Sequence, residues 1–291
     1  MPELPDLAVV ADALHASLAG RPLESALTLM PLAVRGTPAE LDALVGQRVI
    51  SITRVGKFLD LSFDRDLVSV NPMLSGRFQL AGRGERRPSG TALELVFGPR
   101  RIVTPGAAPW TASAGWLPPN DAPVTVRYRD PTQMGKVYLR PAGLERPVAG
   151  RGPGEMGPDA LADALTIDAW RDRIRRHPGE LKNLLRNQEF VAGIGNAYAD
   201  EILFEARLAP FRRRSTLASE EVDALYGAMR SVLADAIAIL RDRVPPTFEK
   251  QVRDHLEVHN RGGEPCRRCG ARITSIRAGG FPTGWCRGCQ R

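Results

Sequence analysis

All four cysteines of the chain lie near its end, in two pairs whose spacing could bind a metal ion. Cys266 and Cys269 form one C-x2-C pair, Cys286 and Cys289 form the other, and sixteen residues separate the two pairs. Each pair can give two thiolates to one tetrahedral ion, and this spacing is typical of a four-cysteine zinc ribbon. Two disulfides are the alternative, which a reducing compartment disfavours. We therefore predict one structural Zn²⁺ ion. We also predict a β-hairpin between the two cysteine pairs, because ITSIR alternates like a strand before a Gly-Gly turn.

The chain begins MPELPD, which places a proline and a glutamate directly after Met1. If Met1 is removed, Pro2 carries a free secondary amine, and a terminal amine has a pKa roughly 2–3 units below that of lysine. Such an amine can attack a sugar C1′ or a carbonyl and form an iminium. Glu3 beside it could transfer the proton. The other interpretation is a plain N-terminal segment leading into a helix, and these two residues alone do not decide between them.

Composition and charge limit the class of protein. The chain has 291 residues, of which 43% are hydrophobic and 25% charged, as in a soluble protein of two domains. We find no apolar run long enough to span a bilayer and no signal-peptide pattern, so we expect a cytoplasmic, nucleoid-associated location and no membrane partner. Residues 241–291 hold eleven Lys or Arg against five Asp or Glu, which is most of the net charge of +7. This basic end predicts an anionic partner, nucleic acid first; a generally arginine-rich proteome is the other explanation.

The elements that must position these residues change in character along the chain. Apolar periodicity predicts a first helix over 5–19 and later helices at about 160–176, 178–188, 196–207 and 219–242. Between them lie the strand-like runs RVISITRV, KFLDLSF, DLVSV, TALELVF and RIVTP. The predicted fold class is multidomain α+β, with an N-terminal β-sandwich behind a leading helix, a helical domain and a C-terminal zinc-ribbon β-hairpin. The predicted segments are the sandwich at 1–140, a Gly- and Pro-rich linker at 141–160, the helical domain at 161–250 and the zinc finger at 251–291.

Two further features could bind an anion. Lys57 heads the KFLDLSF strand at the rim of an apolar face, from which it would reach outward; a solvated lysine at a strand end is the alternative. Gly193 and Gly195 allow a tight turn before a helix that Asn196 would open, and a helix N-terminus can bind a phosphate. A plain connection between two helices is the alternative here.

Four separated stretches together resemble the family of formamidopyrimidine-DNA glycosylases and endonuclease VIII. VAGIGNAYADEILFEARLAP is similar to the helix–two-turn–helix signature of that family, and PELPD resembles its PELPE start. Lys57 falls at the lysine of its RxGK pattern, and the end from EVHNRGGEPCRRCG to CRGCQR resembles its C-terminal zinc finger. The four matches stand in the family's order and cover essentially the whole chain. The resemblance implies a base-excision-repair DNA glycosylase with AP lyase activity, which removes a damaged base and then carries out β- and δ-elimination.

The resemblance also implies roles for particular residues. Pro2 would be the nucleophile on the sugar C1′, Glu3 its acid/base partner, and Lys57 would hold the phosphates that flank the lesion. Asn196, with Gly195 in the same turn, would bind the DNA backbone. The implied partner is double-stranded DNA that contains a damaged base or an abasic site, and we expect a monomer.

The zinc finger departs from the family's pattern at one position. Phe281 lies five residues before the third cysteine, where the family has an arginine, and Arg277 is offset from that place by four residues. An arginine there would make charge-assisted contacts to the phosphate of the lesion, which phenylalanine cannot replace. Phe281 could instead stack on a base. Both Phe281 and Arg277 are therefore candidate DNA-binding residues.

The two stretches that the resemblance implies would enter the DNA also depart from the family's pattern. The family's HLGMSG appears as NPMLSG, which puts Asn71 in place of histidine and makes Leu74, or Met73, the residue that fills the space left by the extruded base. DPRRFG appears as DPTQMG, so Thr132 replaces an arginine that reads the opposite base, and Met134 replaces an intercalating phenylalanine. Leu74 and Met134 are still apolar and can still wedge into DNA.

These departures leave three functions open. The first is a DNA glycosylase and AP lyase with divergent lesion specificity, because Pro2, Glu3 and Lys57 are all present. The second is a non-catalytic protein that binds damaged DNA on the same scaffold, which the changes at Asn71, Thr132 and Phe281 motivate. The third is a lyase that acts only on abasic sites.

Overall fold

The computed structural model describes residues 1–82, 84–100, 114–278 and 280–291. The chain divides into two compact units, Met1–Val148 with Leu240–Gln251 and Ala149–Ile239 with Val252–Arg291. The predicted strand RIVTP at 101–105 lies outside the described residues. The division into four segments stays a prediction.

The first unit contains a leading helix and two β-sheets, which confirms the predicted fold class. Helix α1 is followed in the chain by the short helix α2. One sheet has four antiparallel strands in the order β1-β7-β8-β6, and the other has five in the order β2-β9-β5-β4-β3, with β2 parallel to β9. The bounds are α1 Leu4–Leu18, β1 Leu23–Thr28, β2 Val34–Arg35, α2 Pro38–Asp42, β3 Val49–Val55, β4 Phe58–Phe63, β5 Leu67–Asn71, β6 Arg77–Ala81, β7 Thr91–Phe97, β8 Val124–Arg129 and β9 Lys136–Arg140.

Helix α1 packs on strand β3 and buries most of its length. Its apolar positions Leu7 and Leu14 are 2% and 0% exposed. His15 faces the sheet, where its Nδ1 lies 3.2 Å from the Ile52 N–H that it accepts. Burial lowers the pKa of His15, and the nearby Arg100 guanidinium adds to this effect while Asp12 opposes it. The neutral imidazole is therefore a structural link between the helix and the sheet.

The second unit contains the remaining helices and a C-terminal hairpin. Its elements are α3 Ile167–Arg176, α4 Leu181–Arg186, α5 Asn196–Glu205, α6 Ser219–Arg243, whose last turn belongs to the first unit, β10 Ile273–Ala278 and β11 Phe281–Cys286. The predicted helix at 160–176 was wrong at its start. Thr166 is an extended N-cap whose Oγ1 accepts the Ala169 N–H at 3.3 Å, so α3 begins at Ile167. Within the described residues, no helix is both long and apolar enough to cross a membrane.

Candidate functional site

Pro2 lies in a pocket of the first unit that also contains two cationic residues. The residues that line the pocket include Pro2, Arg77 and Lys250. Pro72 and Gly76, on the loop between β5 and β6, also line it. Positive groups in a concave site attract an anionic ligand. Arg77 and Lys250 were not predicted from the sequence, because neither belongs to a motif that marks them.

The start of α1 is organised by two carboxylates. Glu3 is the extended N-cap of the helix and is 2% exposed. Its backbone N–H donates to Asp6 Oδ2 at 2.8 Å, so Asp6 satisfies a donor at the first turn. Pro2 is buried, and the carbonyl of Met1 accepts a hydrogen bond from Gln251 Nε2 at 2.9 Å. The predicted nucleophile and its predicted acid/base partner are thus fixed at the N-terminus of a packed helix.

Lys57 lies in the turn between β3 and β4 and does not head β4, which begins at Phe58. The turn has two central residues, Gly56 and Lys57, and the φ of +58° at Gly56 is a conformation that glycine adopts at no steric cost. Arg54 Nη1 donates to the Gly56 carbonyl at 3.0 Å, which braces the turn. Lys57 is half-buried and is not among the described residues that line the Pro2 pocket. Its phosphate contact stays a prediction.

A single buried carboxylate links two loops of the first unit, the loop 72–76 and the loop 130–135. Asp130 is 0% exposed and accepts hydrogen bonds from Ser75 Oγ and, at 3.1 Å, from Thr132 Oγ1. The Ser75 and Thr132 hydroxyls lie 2.5 Å apart, and the Gly135 N–H donates to Asp130 Oδ2 at 2.6 Å. Thr132 therefore joins the two loops through its hydroxyl.

Two glycines bring the same loops against one tyrosine. A Cβ added at Gly76 would lie 2.4 Å from the Tyr128 hydroxyl oxygen, and one added at Gly135 would lie 2.0 Å from it. Tyr128 is 2% exposed, and burial, with the nearby Asp130 carboxylate, raises its pKa. A larger residue at either position would overlap the Tyr128 hydroxyl and a nearby backbone carbonyl, so the surrounding atoms would have to shift.

The tips of the two loops expose apolar side chains. Leu74 and Met134, the predicted wedge residues, are 46% and 45% exposed, and Met73 is 37% exposed. Asn71 Oδ1 accepts the Met73 N–H at 3.1 Å, which holds Met73 at a φ of +49°. Exposed apolar residues on a tightly held loop have the chemistry of side chains that insert between base pairs.

In the second unit, helices α4 and α5 flank the predicted glycine turn. Gly193 has a φ of +104°, and Gly195 is the N-cap of α5. Gln188 braces the turn, since its Oε1 accepts the Gly193 N–H at 3.0 Å and its Nε2 donates to the Arg186 and Ile194 carbonyls at 2.8 and 2.9 Å. The N-terminus of α5 is thereby held in a fixed place.

Asn196 connects this turn to the C-terminal hairpin. Its Nδ2 donates to the Pro282 carbonyl at 2.8 Å, and the residue is half-buried. The same carbonyl accepts Lys182 Nζ, also at 2.8 Å. The structure thus places Asn196 beside the start of β11; its contact with DNA stays a prediction.

A buried ionic network lies near the contact between Asn196 and Pro282. Lys182 Nζ is 2.7 Å from Asp200 Oδ1 and donates to Thr283 Oγ1 at 2.8 Å. Asp200 Oδ2 accepts His259 Nδ1 at 2.7 Å and the Gly284 N–H at 3.1 Å. The side chains of Lys182 and Asp200 are 5% and 0% exposed, so this pair is shielded from water.

Glu201 is a second buried carboxylate on α5, next to Asp200. It accepts backbone N–H groups of Glu257, Val258 and His259 at 2.7, 3.0 and 2.8 Å. Burial raises the pKa of Glu201, and these three donors oppose the shift. Sequence reasoning missed Asp200 and Glu201, although two adjacent acids in an otherwise apolar helix were a usable signal.

The four cysteines come together in a cluster that could hold a metal ion. Their sulfur atoms all lie within 4.8 Å of one another, with Cys266 Sγ 3.8 Å from Cys289 Sγ and Cys269 Sγ 3.5 Å from Cys286 Sγ. A hydrogen bond from the Ala271 backbone N–H, together with the neighbouring thiols, lowers the pKa of Cys269 to about 7, whereas burial raises the pKa values of Cys286 and Cys289.

The tip of the hairpin places Arg277 and Phe281 differently. Strands β10 and β11 pair so that Arg277 is opposite Pro282 and Ala278 is opposite Phe281, which directs Arg277 and Phe281 to opposite faces. Arg277 is exposed, and Phe281 is 43% exposed. The Arg186 guanidinium carbon lies 3.8 Å from the centre of the Phe281 ring. The structure therefore pairs Phe281 with an arginine that the sequence did not indicate.

Known proteins resemble the chain over its whole length. The family model for the formamidopyrimidine-DNA glycosylase N-terminal domain matches residues 1–108, and that for the formamidopyrimidine-DNA glycosylase H2TH domain matches residues 156–244. The formamidopyrimidine-DNA glycosylases of Heliobacterium modesticaldum and Chloroflexus aurantiacus are 32% and 31% identical to it, over all of this chain and 100% and 98% of theirs.

Solved structures share the fold. The Lactococcus lactis Fpg in complex with DNA containing an abasic site superposes with a TM-score of 0.81 at 23% identity, over 99% of each chain. The same enzyme with DNA containing FAPY-dG gives a TM-score of 0.80, also at 23% identity, over 99% of this chain and 100% of that one. The sequence identity to the two full-length relatives and the shared architecture lead to one conclusion: the chain belongs to the formamidopyrimidine-DNA glycosylase family.

Proposed function

We propose that this protein is a base-excision-repair DNA glycosylase and AP lyase in which the Pro2 amine is the nucleophile. Its substrate is double-stranded DNA that contains a damaged base or an abasic site. The observation that carries the proposal is the position of Pro2 in a pocket with Arg77 and Lys250, in a chain that belongs to this family. Removal of Met1 is required, because it converts the Pro2 nitrogen from an amide to an amine.

The chemistry begins at C1′ of the damaged nucleotide. The nitrogen lone pair of Pro2 forms a bond to C1′, while the bond from C1′ to the base breaks and the base leaves with a proton. Opening of the bond between C1′ and O4′ gives an iminium. Loss of a C2′ proton then expels the 3′ phosphate, and a second elimination expels the 5′ phosphate. Glu3 is the carboxylate next to Pro2 in the sequence and is the candidate for these proton transfers.

The DNA contacts divide between the two loops and the phosphate-binding residues. Leu74 and Met134 fill the space that the extruded nucleotide leaves, which offsets an unstacking cost of a few kcal/mol. Lys57, Asn196 and the turn at Gly195 hold the backbone.

The four-cysteine cluster is proposed to bind one structural Zn²⁺ ion. With zinc–sulfur bonds of about 2.3 Å, a regular tetrahedron has sulfur atoms about 3.8 Å apart. The separations of 3.8 and 3.5 Å between the two sulfur pairs fit this requirement. A bound ion would hold the two ends of the hairpin together, and the cysteines would take no part in the reaction.

Borohydride trapping tests the proposed function. The purified protein, with Met1 shown absent by mass, is incubated with duplex DNA carrying one abasic site and with a duplex carrying 8-oxoguanine. Reduction of the iminium should give a stable adduct, and Pro2→Gly should remove most of it. Lys250→Ala is the control, because it removes the other amine of the pocket. An adduct that maps to Lys250, or no adduct while DNA is still bound, would refute the role of Pro2.

The same experiment distinguishes a lyase that acts only on abasic sites. That alternative is favoured by Thr132, whose hydroxyl is engaged with Ser75 and Asp130 within the protein. Duplexes that carry several different modified bases are tested beside the abasic duplex. If only the abasic duplex gives an adduct, the protein is a lyase that acts only on abasic sites.

A further inference from the structure

Arg186 and Phe281 form a stacked pair that no motif of the sequence indicated. Arg186 is the last residue of α4, and Phe281 is the first residue of β11. The guanidinium carbon lies 3.8 Å from the ring centre, within the range of a cation–π contact. Ninety-five positions of sequence separate the two residues, so the fold creates the pair. Phe281 remains 43% exposed, which leaves the pair at the surface of this unit.

The pair lies next to the anchored end of α5. Pro282 follows Phe281 directly, and its carbonyl accepts Asn196 Nδ2 at 2.8 Å. Arg186 and Asn196 are therefore held against two consecutive residues of the same strand. The N-terminus of α5, which Asn196 begins, adds the partial positive charge of a helix dipole.

Helix α4 has two cationic residues near Phe281 and Pro282, and Lys182 is not available to a ligand there. It also contacts the Pro282 carbonyl, but it is 4% exposed and is paired with Asp200 at 2.7 Å. Arg186 is half-buried at the tip. Arg186 is thus the cation of α4 that lies at the start of β11, where a ligand could contact it.

We propose that Arg186, held flat on Phe281, binds a DNA backbone phosphate together with Asn196. This inference rests on the proposed function, because it takes DNA as the ligand. Stacking uses the face of the guanidinium, and its N–H donors lie in the plane of the group, from which a guanidinium can form two parallel hydrogen bonds to a phosphate. The ring also restricts a long side chain before the ligand arrives, so less entropy is lost on binding. Phe281 is then a platform for the arginine, and the guanidinium comes from α4 and not from the hairpin.

The test measures the affinity for a duplex with a reduced abasic site, which the protein cannot cleave, as a function of salt. Arg186→Ala should weaken binding about tenfold or more at low salt, as expected for a charge-assisted hydrogen bond. It should also lower the slope of log affinity against log salt by about 0.9, the value for one lost phosphate contact. Phe281→Leu should cost about two- to fivefold, and should cost nothing further in the Arg186→Ala background.

Two variants serve as controls. Arg287→Ala removes an arginine that also lies over an aromatic ring of the hairpin, with its guanidinium carbon 5.7 Å from the Trp285 ring centre, and should leave both affinity and slope near those of the wild type. Phe281→Arg in the Arg186→Ala background returns a guanidinium to the tip and should restore most of the affinity and the salt slope. Metal content and circular dichroism establish that each variant is folded.

Wild-type affinity and slope in Arg186→Ala would overturn the inference. A loss of affinity with an unchanged slope would also overturn it, because the arginine would then not contact a phosphate. A further loss from Phe281→Leu in the absence of Arg186 would show that the ring stacks on a base and is not a platform. If the wild type fails to bind DNA or to form an adduct, the proposed function itself fails, which is a separate result.

Discussion

Replacing Asp200 by asparagine tests whether the buried ionic network holds the C-terminal hairpin against α5. Asp200 neutralises Lys182 at 2.7 Å and accepts the Gly284 N–H at 3.1 Å. Asparagine keeps the size and one oxygen but removes the charge. Lys182 would remain 4% exposed, and its two acceptors Pro282 O and Thr283 Oγ1 carry no charge.

The expected cost follows from the burial of both charges. Breaking a buried ion pair by removing one partner costs about 3–5 kcal/mol, because the other charge stays buried without compensation. Lys182 keeps two hydrogen-bond acceptors and can still donate to the asparagine oxygen. We therefore expect the lower end, about 3 kcal/mol, which is roughly a hundredfold in an equilibrium constant.

Native-state hydrogen exchange can measure this cost where it occurs. Amides of β10 and β11, including Gly284, should exchange roughly a hundredfold faster in Asp200→Asn, while amides of β3 and β4 in the other unit should not change. Asp163→Asn is the matched control. Its carboxylate is fully exposed and 3.9 Å from Arg230, so its loss should leave the exchange rates near those of the wild type.

Equal exchange in the two variants would refute this account of the network. The double variant with Lys182→Met gives a further check, since it removes both charges. It should be less destabilised than the sum of the two single variants. Strict additivity would mean that Lys182 and Asp200 do not stabilise each other.

Three other predictions concern the wedge, the metal and pH. Leu74→Ala with Met134→Ala should reduce excision of a damaged base more than cleavage at an abasic site, with an unfolding free energy within about 0.5 kcal/mol of the wild type; equal losses on both substrates, measured in gel assays, would contradict the wedge role. Chelation of the metal, or Cys286→Ser, should abolish exchange protection in β10 and β11 and weaken DNA binding; binding that survives would place the finger outside the DNA interface. The unfolding free energy should fall as pH drops below about 6.5, since the lowered pKa of His15 makes its protonation favour the unfolded state. His15→Asn should flatten urea-derived stability across that range, and an unchanged pH dependence would exclude His15.

Local patterns predicted the elements well. The periodicity of 5–19 predicted α1, observed at Leu4–Leu18, and the alternation of ITSIR predicted the hairpin strand at Ile273–Ala278. The cysteine spacing predicted the cluster because both pairs lie close in sequence to the strands that carry them. Such signals are contained within a few residues of chain, where periodicity and ligand spacing act.

The missed contacts at the candidate site join residues that are distant in sequence. Ser75 meets Asp130 across 55 positions, and Lys182 meets Thr283 across 101. Arg186 meets Phe281 in the same way. No local period marks a polar residue whose partner comes from another element, so such contacts are visible only once the fold brings the elements together.

The shared carboxylate of Asp130 has a consequence for how damage could be found. Because it links both loops, we expect their apolar tips to meet the duplex as one rigid part, without either loop having to become ordered during an encounter. Loop tips that are already rigid can contact each base-pair step during the short time that a sliding protein spends there. They would respond to how easily the step yields, since pyrimidine–purine steps and weakened pairs open at lower cost than intact stacks. The first stage of recognition would then depend on the mechanical compliance of the DNA, and the chemical identity of the base would matter only after it had left the helix.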